Sequence, residues 1–335
     1  MLTRVILSIG LFLGCCFSEV DVFELAHNGE FEKLKEIIKN DDDFDVNQTW
    51  GFLFKVPLLH QAAFSGSFEL VNYLVERKNA NIDAVDGYGK TVLHRAAESG
   101  SLELVKYLIE THKMDLNVED RGKKTVLHYA AFSGSLELVK YLIETHKMDP
   151  HVANKSKKTV LHYAAFSGSL ELVKYLIETH KMDPHVANKK SKETVLHYAA
   201  FSGSLELVKY LIETYKIDPK ATTKYGSTVL YEAAGSGSLE LVKYLIENHG
   251  TDLQAQNDNE SALYFAARVS PSIDVVDYLI KKGARTTYID SNGNTVLHHA
   301  ANRLDNNGLD LVRLLIETHN IDPNIKDENG KTALQ

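Results

Sequence analysis

Apolar and polar positions follow a fixed plan that recurs along most of the chain. In residues 125–149, Leu127, Ala130 and Ala131 fall at i, i+3 and i+4, the spacing that lines side chains along one face of a helix. Gly134 then stops that helix, and Ser135 is placed to cap the next. In the second helix Leu136, Leu138, Val139, Leu142 and Ile143 leave only Glu137, Lys140 and Glu144 polar. Those three predict one solvent stripe with intrahelical ion pairs, worth ~0.2–0.5 kcal/mol each. A helix this apolar cannot stand alone and must be sandwiched by like neighbours.

The neighbours are copies of the same unit. Residues 125–154 and 159–188 are identical, and Thr194 opens a third near-copy. Thr-Val-Leu recurs at Thr91, Thr125, Thr159, Thr194, Thr228 and Thr295, with divergent units at Pro57-Leu58-Leu59-His60 and Ser261-Ala262-Leu263-Tyr264. Such a period marks a stack of supersecondary units. The pattern T-x-L-H-x-A-A-x-x-G, then L-E-L-V-x-x-L-I, resembles the ankyrin repeat. It matches at residues 91–100, 125–134, 159–168 and 194–203, and more loosely at 228–237 and from 295.

The resemblance covers residues 22–335. It implies an all-α fold class: an ankyrin-repeat solenoid of stacked helix-turn-helix units with β-turn fingers along one edge. Family members mostly bind other proteins through the fingers and the concave face. On this reading residues 19–50 are an N-terminal capping repeat, 51–327 an array of about eight units, and 328–335 the start of a truncated further repeat. The family's finger glycine is kept at Gly89, Gly226, Gly293 and Gly330, but Lys123, Lys157 and Lys192 replace it in the central units. Those fingers are expected to be less regular, because a side chain resists positive φ.

Composition narrows the class. With 44% hydrophobic and 24% charged residues the chain is not a disordered one, and a net charge of -8 gives no global basic field for nucleic acid. Residues 1–18 combine Arg4, an apolar run over 5–17, and small residues Cys16 and Ser18 ahead of Glu19. They predict a secretory signal peptide cleaved before Glu19. The run is shorter than the ~20 apolar residues of a membrane-spanning helix, and no later segment is expected to span. Cys15 and Cys16 are the only cysteines, so the secreted chain is expected to be thiol-free.

Candidate chemistry is sparse. His60, His94, His128, His162, His197 and His298 share one column of the repeat, where the resemblance implies structural hydrogen bonds near the finger. One helix-packing distance apart, ~8–10 Å, they cannot share a metal ion. Residues 146–151 and 180–185 bring His and Asp together without a thiolate, a weak zinc pattern. Gly89-Lys90-Thr91 lacks the earlier glycine of a phosphate-binding loop. No catalytic residue, metal or cofactor is expected, and the chain is not expected to be an enzyme. Asn47-Gln48-Thr49, Asn154-Lys155-Ser156 and Asn259-Glu260-Ser261 are N-glycosylation sequons.

One constellation suggests binding. Phe64, Phe132, Phe166 and Phe201 share a column, and at ~100° per residue Phe132 points away from the Leu127 face. Tyr129, Tyr163 and Tyr198 also turn off that face, and the resemblance makes theirs a framework column packed between units. The fingers beside them carry Arg121, Lys123, Lys124, Lys155, Lys157, Lys158, Lys189, Lys190 and Lys192 against Asp120 and Glu193 alone. An aromatic stripe beside a basic ridge, in an acidic chain, is a candidate face for a protein partner with an acidic surface. Its expected contact residues are Phe132, Phe166, Phe201, Arg121, Lys123, Lys124, Lys157, Lys158, Lys190 and Lys192. The expected function is a secreted protein-binding scaffold, an effector or inhibitor of its partner. The alternative is an ankyrin array within a larger secreted protein such as a multidomain toxin.

Overall fold

Each unit starts where extended backbone turns into a helix. Thr125, at φ -96° and ψ 172°, precedes the inner helix Val126–Ser133, which ends at Gly134 with φ 80°. Glycine relieves the strain of that left-handed residue. Ser135 Oγ then accepts the Leu138 N–H at 3.3 Å and starts the outer helix Leu136–Lys140, which continues as a wider π turn over Tyr141–Thr145. The computed structural model describes residues 21–51, 54–257, 260–303, 305 and 307–335. The expected signal peptide over residues 1–18 and the sequon asparagine Asn259 lie outside the described residues.

A first helix pair, Val22–His27 and Phe31–Asn40, precedes inner helices at Leu58–Ser65, Val92–Ser99, Val126–Ser133, Val160–Ser167, Val195–Ser202, Val229–Ser236, Ala262–Val269 and Val296–Ala301. Each inner helix packs on the next, and each has its own outer helix behind it. Leu127, Ala130, Ala131, Leu138, Val139 and Leu142 are all buried, as are their counterparts in the neighbouring repeats. Alanine pairs let successive inner helices approach closely, while leucines fill the wider space between outer helices. The core is therefore one continuous stripe along the array. No helix among the described residues is long and apolar enough to cross a membrane.

The fingers are regular, against expectation. Lys123, Lys157 and Lys192 take φ of 59°, 63° and 61°, the same left-handed turn that Gly89 makes at 78°. The side chain that opens each finger holds it there. Asp120 Oδ1 accepts the N–H groups of Gly122 and Lys124 at 2.7 and 2.8 Å. Asn154 Oδ1 accepts those of Ser156 and Lys158 at 2.9 and 3.0 Å. These bonds offset the ~1–2 kcal/mol that a left-handed residue costs. Adjacent fingertips also bond to each other: Arg121 N–H donates to the Tyr88 carbonyl at 2.9 Å and Lys155 N–H to that of Gly122 at 2.8 Å. The first finger is longer, with strand β1 (Thr49–Trp50) antiparallel to β2 (Val56–Pro57).

On the outer helices the expected intrahelical pairing of Lys140 is replaced by links between repeats. Tyr141, Tyr175 and Tyr210 donate to Glu110, Glu144 and Glu178 of the preceding repeat at 2.8, 2.8 and 2.6 Å. Lys140 Nζ lies 5.3 Å from the centre of the Tyr175 ring. Each tyrosine thereby reaches across the seam that its own repeat buries.

Candidate functional site

Phe132, Phe166 and Phe201 stand in the last turn of three inner helices that stack in register. Their rings stack as well, with centroids 5.2 and 5.1 Å apart and planes 20° and 21° from parallel. Each such pair contributes ~0.5–1.5 kcal/mol beyond its burial. One expectation is corrected by this packing. Phe166 and Phe201 are half-buried rather than free to face solvent, and Phe132, at the end of the ladder, is 37% exposed.

The ladder stops for reasons of sequence. On one side its column holds Glu98, whose carboxylate takes Lys90 Nζ at 2.9 Å and Arg95 Nη1 at 3.1 Å. Phe64 lies beyond that break, stacked on His27 at 4.9 Å, and does not join the other three. On the other side the column holds Gly235, where any Cβ would come within 2.2 Å of the Phe265 ring.

Behind the ladder the tyrosine column ties each inner helix to its own finger. Tyr129 Oη donates to Asp120 Oδ2 at 2.6 Å, Asn154 Nδ2 donates to Tyr163 Oη at 2.8 Å, and Asn188 Nδ2 to Tyr198 Oη at 3.2 Å. Burial, and then the Asp120 carboxylate, push the Tyr129 hydroxyl well above its ordinary range, so it remains a donor. Arg95 and His299 make the equivalent bond to Asp86 and Asp290 at 2.7 and 3.1 Å. Sequence reasoning missed this lock. The signal was present: in four of these five finger-to-helix pairs the partners stand nine positions apart, the exception being Asn188/Tyr198, where the finger has gained a residue.

The finger cations fall into two groups. Lys124 and Lys158 are half-buried and turn inward. Lys124 Nζ lies 4.9 Å from the Tyr129 ring centre and 3.9 Å from Asp120 Oδ2. Lys158 Nζ lies 4.8 Å from the Tyr198 ring centre and 3.6 Å from Glu193 Oε2. Much of their charge is thus spent inside the chain. Arg121, Lys123, Lys157, Lys190 and Lys192 are exposed. Between ladder and tyrosine column lies an apolar cleft of about 120 Å³, lined by Phe132, Lys158, His162, Tyr163, Phe166 and Tyr198. The face ends at Glu232, which takes the tyrosine position of the next repeat. Ser227 Oγ donates to it at 2.8 Å, and burial pushes its carboxyl up to about 7.

The histidine column is structural. His94 Nδ1 accepts the Thr91 N–H at 3.1 Å, while its Nε2–H donates to the Val118 carbonyl at 3.0 Å. His60 Nε2–H donates likewise to the Lys90 carbonyl at 2.9 Å. Among the described residues no three His, Cys, Asp or Glu side chains are grouped to hold a metal ion.

The model described as ankyrin repeats (3 copies) matches residues 22–120, 113–188, 180–257, 196–290 and 230–327. No curated protein matches the chain. With the matches running from 22 to 327 over the same helix pairs and fingers, the chain belongs to the ankyrin-repeat family.

Proposed function

We propose that this ankyrin array, a protein-binding scaffold by family, acts after export and grips an acidic partner protein on the face of its three near-identical repeats. Ankyrin-repeat proteins are typically not enzymes, and this face offers apolar edges beside cationic groups. The observation that carries the reading is the stacked ladder Phe132–Phe166–Phe201 beside the exposed cations Arg121, Lys123, Lys157, Lys190 and Lys192. Preassembled rings lose little freedom on binding, and buried aromatic anchors often contribute ≥ ~2 kcal/mol at a hot spot. The cations add steering for an acidic surface. Lys124 and Lys158 line the face from within and support its geometry more than its charge.

Export by residues 1–18 completes the proposal, with the scaffold recruiting or inhibiting its partner outside the cell. N-terminal sequencing of secreted material should give Glu19 first; retention of Met1 would contradict it. For the binding face, the whole secreted chain is used to capture partners from a target extract, and the Phe132→Ala variant is compared. Loss of the captured protein while the variant stays folded at the assay temperature supports the ladder as the contact. Undiminished capture moves the site elsewhere.

A further inference from the structure

The finger edge bears a second exposed aromatic group, whose rings make no contact with the ladder. Phe54 and Tyr88, on the first and second fingers, stack with centroids 4.6 Å apart and planes 11° from parallel. They are 40% and 42% exposed, so this pair covers no core. The backbone holds it outward. Gly87 N–H donates to the Phe54 carbonyl, and a Cβ at Gly87 would sit 2.6 Å from that oxygen, so only glycine lets the two fingers close up. Trp50, the only tryptophan in the chain, lies on β1 of the same first finger.

The edge continues without a break into the cations. The Tyr88 carbonyl accepts from Arg121 N–H at 2.9 Å, and that of Gly122 from Lys155 N–H at 2.8 Å. The tips of these fingers therefore form one hydrogen-bonded ribbon, apolar at Phe54 and Tyr88 and cationic from Arg121 onward. Arg121, Lys123, Lys155 and Lys157 are exposed. Unlike Lys124 and Lys158, they form no ion pair among the described residues.

We propose that this finger edge docks on an anionic lipid surface, with Trp50, Phe54 and Tyr88 at the headgroup boundary and the following cations on the headgroups. Aromatic rings favour that boundary, and unneutralised Lys and Arg are drawn to anionic lipid. A projecting tip needs a shaped groove in a protein partner, whereas a fluid headgroup layer accommodates it without one. Charge complementarity runs the length of the cationic ribbon. The attachment is peripheral and needs no spanning helix. It shares cations with the protein-binding face but not its rings, so the two can fail separately.

The test uses the full secreted chain with vesicles of phosphatidylcholine, alone or mixed with phosphatidylserine, and follows Trp50 emission and co-sedimentation. Binding to the phosphatidylserine vesicles with a blue shift of Trp50 is expected. Lys123→Ala and Lys155→Ala should each weaken it about five-fold. Phe54→Ser, with an unchanged circular dichroism spectrum, should abolish the shift while leaving capture of the protein partner intact. Absence of vesicle binding, or binding in which Trp50 stays unshifted and Phe54→Ser has no effect, overturns the proposal. So does a Phe54→Ser variant that keeps vesicle binding but loses the protein partner, since the tip then belongs to that partner.

Discussion

Asn154 donates its side-chain amide to the Tyr163 hydroxyl at 2.8 Å, closing the finger and inner helix of one repeat into a single unit. That nitrogen is also the atom to which a sequon glycan would attach. Asn154 is only 6% exposed, and its oxygen already holds the finger turn. Expressed through a eukaryotic secretory pathway, the folded protein should therefore be unmodified at Asn154. Asn47, which is exposed and uses only its oxygen, accepting the Asn81 N–H at 2.8 Å, should be the modified sequon of the two. Mass spectrometry of glycopeptides decides this. Full occupancy at Asn154 in folded material would be incompatible with the Asn154–Tyr163 lock.

Acid should weaken the fold through the histidine column. Burial lowers His60, His128 and His162 from 6.5 to about 4. Lys124 and Lys158 push His128 and His162 the same way, against Asp120 and Glu193. The Nδ1 atoms of His128 and His162 accept the backbone N–H groups of Thr125 and Thr159 at 3.2 and 3.1 Å, so protonation sets donor against donor. The folded values lie below the unfolded one, so the stabilisation is complete above 6.5 and is lost as pH falls towards 4. At ~1.4 kcal/mol per pH unit, each such histidine contributes a few kcal/mol. Urea midpoints should fall steeply across that window, and a flat profile would show that the column titrates normally.

The left-handed lysines give a test of strain. Lys157→Gly removes a Cβ from a residue at φ 63° while the Asn154 bonds remain. Stability should rise by about 1 kcal/mol, after allowing for the extra freedom glycine has when unfolded. A variant no more stable than the parent would mean that lysine costs no more than glycine at this φ.

Core and ladder should respond differently to truncation. Leu172 is fully buried between repeats, so Leu172→Ala should cost ~2–5 kcal/mol. Phe132→Ala loses one stacking partner at a position that is 37% exposed, and should cost less, ~1 kcal/mol. Chemical denaturation of both variants measures the difference. Equal losses would place Phe132 in the core and remove it from the binding face.

The local fold was legible because one repeat contains its own instructions. Leu127, Ala130 and Ala131 are buried, Gly134 ends the helix in the left-handed region, and Ser135 caps the next, each as the residue types dictate. What was not legible depends on the offset between repeats. The bond from Tyr175 to Glu144 joins residues 31 positions apart; no pattern within a single unit encodes that meeting. The inward turn of Lys124 and Lys158 was hidden for a similar reason, since the rings they lie over come partly from the next repeat. The lysine turns misled because glycine preference was weighed without the Asp and Asn side chains that hold them.

The identity of residues 125–154 and 159–188 carries a further consequence. The inner helix Val92–Ser99 meets Val126–Ser133, and Val160–Ser167 would present it with the same side chains in the same order. Loss of residues 125–158 in a gene rearrangement would rejoin compatible surfaces, and gain of one more copy would do the same. Ring ladder and cationic ribbon would then shorten or lengthen together by one step. Reach over a partner is thus a quantity that heredity can adjust in whole increments, with no new interface to invent.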